Sequence, residues 1–154
     1  MENTLRSLLK RGIRGTSSHL DVTTVFDNLD FRFTGLYASP IPNTIWQVAE
    51  HMYIWIKLKV DLFEGKPIVF PEGHGFGTTE APASQDAWEN FKVDYTSALI
   101  RMEEMVDTMD LQKQYPEWNN LTFAEIIGVM HNHNSYHAAQ IVAMRRILGV
   151  WTRS

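Results

Sequence analysis

The chain has no cysteine, and that absence excludes disulfides and thiolate metal ligands together. Any metal would have to be held by histidine, carboxylate, carbonyl or water. The sequence also lacks an uninterrupted apolar run near the ~18 residues of a spanning helix, and it lacks a signal-peptide stretch. The start, Met1 to Gly15, mixes Leu5, Leu8 and Leu9 with Arg6, Lys10, Arg11 and Arg14. It reads as a solvated helix with the leucines inward rather than as a membrane-surface helix. The net charge of -4 argues against a nucleic-acid surface, since phosphate binding depends on clustered Lys and Arg, and neither nucleic acid nor membrane is an expected partner. The expected location is cytoplasmic. Strand-like alternation is missing too, and no repeat is present.

What remains is the composition of a globular protein, 44% hydrophobic and 21% charged, long enough at 154 residues for one domain spanning 1–154. Four stretches carry helical periodicity. Residues 18–36 place Leu20, Val25, Leu29 and Phe33 on one stripe and end at Ser39-Pro40-Ile41-Pro42. A second helix opens at Thr44, with Gln47 completing a capping box, aligns Ile45, Val48, Met52 and Ile56, and stops at Gly65-Lys66-Pro67. A third runs from near Ser84 to about Met109. The fourth opens on the box Thr122-Phe123-Ala124-Glu125 and continues to Leu148, with Gly149 as a left-handed cap. Residues 65–84 form a glycine- and proline-rich loop, long enough to suggest a function. The expected fold is an all-α four-helix bundle with no sheet.

Histidines carry the chemical signal. His133 and His137 stand at i, i+4 on one helix face, where two imidazoles can converge on one ion. His131 is rotated by about 200° from His133 and points elsewhere. Gln140 shares the ligand face as an orienting hydrogen bonder. His51, mid-helix beside Val48 and Ile56, is a third ligand if the helices face one another. Taken singly, each feature has a bland reading: core histidines commonly bond backbone or water, and a His-x-x-x-His pair arises by chance.

The segment from His133-Asn134-Ser135-Tyr136-His137-Ala138-Ala139-Gln140-Ile141 to Trp151 resembles the last helix of the DinB-like (YfiT-like) metalloenzyme family. Ile45-Trp46-Gln47-Val48-Ala49-Glu50-His51 resembles that family's second helix. The Pro-x-Pro break and Ala87-Trp88 fit the same pattern. Ala139 departs from it, since the family often has glycine there. The resemblance implies an up-up-down-down bundle, a homodimer, and a zinc or nickel site at His51, His133 and His137. Three imidazoles without a carboxylate leave an ion with an open position, which suits catalysis more than structure. Two chemistries follow from this, a thiol-dependent transferase acting on a small-molecule substrate or thiol, and a hydrolase. A non-catalytic metal- or small-molecule-binding bundle is the alternative. No general base stands out among Glu50, Asp21, Asp27 and Glu125. The 65–84 loop is expected to cover the site, with His74 as a further candidate ligand.

Overall fold

The computed structural model describes residues 1–152, and four α-helices account for most of them: α1 (Glu2–Arg14), α2 (Ile45–Phe63), α3 (Gln85–Thr108) and α4 (Phe123–Ile147). The boundaries are set by local chemistry. At α2 and α4 both halves of the capping box form, Thr44 with Gln47 and Thr122 with Glu125. Each box satisfies amide groups that a helix start leaves unpaired, worth about 1 kcal/mol. Both helices end in a left-handed glycine: Gly65 and Gly149 bond back to Leu62 and Arg146, and the next residues reach Asp61 and Arg145.

The first of the four helices is not the one expected. Residues 18–36 form two short 3-10 turns, Thr24–Phe26 and Phe31–Phe33, while α1 lies in the basic amino-terminal stretch. Polar side chains break the periodic stripe by taking backbone partners. Asp21 accepts from the amide and hydroxyl of Thr23, Asp30 accepts from the amide of Arg32, and Asn28 turns left-handed at φ 53°. Val25 and Leu29 are still buried, Phe33 is half-buried and Leu20 is exposed. Phe26 from this segment meets Trp88 and Tyr95 edge to face at 5.4 and 5.3 Å.

Helix α1 also differs in what it buries. Leu5 and Leu8 are exposed, and Leu9 and Ile13 meet the core instead. Its cations at i, i+4 and i+8 face α3. Arg6 donates to the carbonyls of Val106 and Met109, Lys10 pairs with Asp107, and Arg14 pairs with Glu103 at 2.7 Å. The basic stripe is therefore a helix-pairing device. Gly12 lets α1 approach α4, because a Cβ there would sit 3.1 Å from the His131 ring.

The contacting pairs give the helix directions. Arg6 to Met109 and Arg14 to Glu103 make α1 antiparallel to α3. Trp46 with Trp88 and Glu64 with Arg101 make α2 and α3 parallel. His51 with His133 and Phe63 with Phe123 make α2 antiparallel to α4. The order is thus up-down-down-up, in place of up-up-down-down. Two parallel consecutive helices need a connection as long as the bundle, and residues 64–84 are that crossover.

A small sheet is also present, against expectation. Gln114–Tyr115 (β1) pairs antiparallel with Leu121–Thr122 (β2). Left-handed Asn119 and Asn120 turn the chain between them. The pairing is two residues long on each side, too short to leave an alternating pattern. No helix among the described residues is long and apolar enough to cross a membrane.

Arg145 is 1% exposed and donates to the carbonyls of Val25, Asp27 and Val150, with its guanidinium 4.9 Å from the Trp151 ring. It ties the irregular 15–44 segment to the end of α4. Arg145→Leu leaves three carbonyls without their donor, and an expected loss of about 3 kcal/mol should appear as a lower midpoint in urea. An unchanged midpoint would remove Arg145 from the list of residues that hold this segment.

Candidate metal centre

The bundle brings His51 of α2 opposite His133 and His137 of α4. One nitrogen from each ring lies within 4.8 Å of the other two. His51 Nε2 is 2.8 Å from His133 Nε2, and the three ring centroids are 4.5 to 4.8 Å apart. Tetrahedral coordination at 2.0–2.1 Å puts neighbouring nitrogens about 3.3 Å apart, so the three could hold one ion once the rings turn to even out their spacings. Among the described residues no carboxylate joins the three.

Two of the rings have their tautomer fixed from behind. The carbonyl of His74 can only accept, so His51 donates to it from Nδ1–H at 2.8 Å. Gln140 Oε1 accepts from His137 Nδ1–H at 3.0 Å, the role expected of Gln140. In both cases the Nε2 lone pair is left to face the cluster. His133 differs: its Nδ1 is buried without a partner, and the amide of the adjacent, fully buried Asn134 is also unpaired.

Comparison with family models, with curated proteins and with solved structures finds no match for this chain. Its own geometry has to carry the reading.

The crossover lies over the cluster. The Phe76 ring stacks on His51 at 3.8 Å and 9° between planes. Trp55 Nε1–H donates to the same His74 carbonyl that His51 uses. His74 is left-handed at φ 58° beside Gly73 at φ 56°, a conformation disfavoured for a side chain with a Cβ. The turn aims the His74 carbonyl inward. Its imidazole is exposed and outside the three-histidine group, so it contributes a backbone oxygen and not the further ligand expected of it.

Glu50 anchors the same loop, a role its sequence position hides. Its carboxylate is 5% exposed and accepts from the amides of Thr78 and Thr79 and from the Thr79 hydroxyl. It points around the helix from His51, as expected, yet it determines how the loop sits over that residue. Of the other flanking side chains, Tyr136 is exposed, its ring edge-on to His137 with centroids 5.0 Å apart. His131 packs on α1 at Gly12, away from the cluster. His19 bonds Ser135 Oγ and the Leu20 carbonyl. Asp21 and Glu125 are spent on turn and cap, and Asp27 offers Arg145 its carbonyl.

Burial is the largest influence on all three clustered histidines, and it disfavours their charged forms. It lowers His51 to about 4, helped by the nearby His137, Lys59 and His74 and opposed by the hydrogen bond to the His74 carbonyl. It lowers His133 to about 3, helped by His137, Lys59 and His51. His137 is lowered by burial and partly restored by Gln140. Burial thus favours the neutral form of all three rings; His51 and His137 turn Nε2 lone pairs to the cluster, while His133 Nε2–H donates to His51 Nε2 at 2.8 Å, a proton that a bound ion would displace. Proton competition for an ion moves below the free-imidazole range of about 6.5.

The sign for stability follows from linkage. Above about pH 6.5 these histidines are neutral in the folded and unfolded chain and contribute no slope. Between about 6.5 and about 3 the unfolded chain binds protons that the folded cluster refuses, so stability falls as pH falls. Urea denaturation of metal-free protein should show this loss across that window, and His133→Gln should make it shallower. Equal slopes in the two proteins would mean that the cluster is not the group responsible.

Proposed function

We propose that His51, His133 and His137 bind one divalent ion, zinc or nickel, through their Nε2 atoms. We further propose that the chain is a metal-dependent enzyme of the DinB-like (YfiT-like) kind, a thiol-dependent transferase or a hydrolase. The observation that carries this reading is the convergence of three neutral imidazoles, two with the distal nitrogen committed elsewhere. When bound, the ion supplies Lewis acidity to a thiol or to water. The chain's own part is positional. His74 and Gln140 hold two rings in register, Phe76 covers His51, and Glu50 fastens the loop that excludes solvent. With no carboxylate among the three ligand residues, one coordination position is left for substrate.

The resemblance of the two histidine segments supports a homodimer that takes a small-molecule substrate or thiol and works in the cytoplasm. The second reading is a non-catalytic metal- or small-molecule-binding bundle. It is favoured by the stacking of Phe76 directly on His51, which covers one side of the cluster.

Elemental analysis and metal titration of untagged protein test the site. About one ion per chain is expected, with His51→Ala, His133→Ala and His137→Ala each weakening binding by a hundredfold or more, on the order of the loss from removing one strong ligand. His131→Ala should bind as wild type does. Loss of binding in His131→Ala with retention in His137→Ala would overturn the assignment.

Activity separates the two readings. Metal-loaded protein is expected to accelerate thiol addition to electrophiles or the hydrolysis of esters or amides, and chelation should abolish the rate. A metal-replete sample inert across both panels leaves the binding-protein reading standing.

A further inference from the structure

Helix α2 buries a lysine that the metal-centre reading does not use. Lys59 lies two turns beyond His51, is 2% exposed, and donates to the Trp55 carbonyl at 3.2 Å. Among the described residues no carboxylate pairs with it, whereas Lys10 and Arg14 of α1 pair with Asp107 and Glu103. Its ammonium rests instead between two indoles, 5.2 Å from the Trp55 ring and 5.0 Å from the Trp118 ring.

This box adjoins the histidines. The Trp55 ring is 6.2 Å from His51 and 6.4 Å from His133, and Lys59 is close enough to act electrostatically on both. Burial without a counter-charge lowers Lys59 to about 7, so near neutrality a substantial share carries a charge with no acid to match it. The Phe70 ring covers the box, 6.2 Å from Trp55 and 5.3 Å from Trp118, and is itself half-exposed on the crossover. The loop segment that shields His51 with Phe76 thus shields Lys59 with Phe70.

We propose that Lys59, walled by Trp55 and Trp118, is the specificity-determining subsite for a carboxylate on the small molecule that binds the three-histidine centre. The inference rests on the metal-centre reading for the other end of that molecule. A dication beside an unpaired ammonium, with Glu50 already engaged by Thr78 and Thr79, leaves positive charge that the ligand has to balance. A carboxylate suits the box better than a phosphate does. One ammonium between aromatic faces offers a single charge and few donors, whereas phosphate favours several donors or a bidentate arginine.

The test uses full-length protein loaded with cobalt, titrated with 3-mercaptopropionate and with its neutral counterpart 3-mercaptopropionamide, and read by sulfur-to-cobalt absorption. Wild type is expected to bind the acid about tenfold more tightly than the amide, the scale of one charge-assisted hydrogen bond. Lys59→Met, which replaces a buried charge by an apolar chain of similar length, should bind cobalt normally and lose the preference. A parallel arm titrates metal-free protein with propionate and propionamide by tryptophan fluorescence. There the acid alone should perturb Trp55 and Trp118, and Lys59→Met should abolish the change. Equal affinity for acid and amide in wild type, or a preference surviving in Lys59→Met, overturns the proposal. Failure of wild type to bind cobalt overturns the metal reading alone, and the fluorescence arm then decides the Lys59 subsite by itself.

Discussion

Helices α2 and α3 run in the same direction, and the chain between them must travel back along the bundle. An antiparallel pair could be joined by a few residues. A parallel pair needs a strap, and a strap carries backbone polar groups across an otherwise apolar surface. Those groups need partners, and α2 supplies them. His51 and Trp55 donate to the His74 carbonyl, Glu50 accepts two amides and a hydroxyl, and Trp46 donates to Thr79. The polar residues on α2 are therefore first of all the docking points of residues 64–84. The orientation of the His51 ring follows from that docking.

The same arrangement explains why the cluster can stay neutral while buried. A histidine inside a bundle is stable if one nitrogen donates to a fixed acceptor and the other meets a neighbour. His51 uses the loop and His137 uses Gln140 on its own helix. His133 has only the bond between its Nε2 and His51, and its unpaired Nδ1 beside the unpaired Asn134 amide is the least satisfied spot in the group. The left-handed turn at His74 is a cost accepted for the same purpose, since in that turn its carbonyl accepts from both His51 and Trp55.

Much of this was legible in the sequence wherever the signal was local. Capping boxes at Thr44 and Thr122, the Gly149 stop and the i, i+4 histidines are written within a few residues, and each occurs where it was read. The rest depended on long-range contacts. Residues 18–36 have a helical stripe, but Asp21, Asn28 and Asp30 offer the backbone cheaper local partners. The basic stripe of α1 looked like a solvated face because Asp107 and Glu103 are far away in sequence. Helix direction left no trace in any segment. Lys59 was readable in principle: it continues the series Ile45, Val48, Met52, Ile56 at helical spacing, so a charge on that stripe signalled burial.

The strap also bears on how fast anything held beneath it could leave. Phe76 lies flat on His51, and Glu50 fastens the next residues, so departure from the cluster requires those contacts to break together. Entry meets the same barrier. A gate of this kind slows arrival and release by one common factor and leaves the equilibrium between them untouched. For an ion or small molecule in this bundle, residence time would then be set by hydrogen bonds that never touch it, and could be tuned at Glu50 and Thr79 without altering a ligand atom.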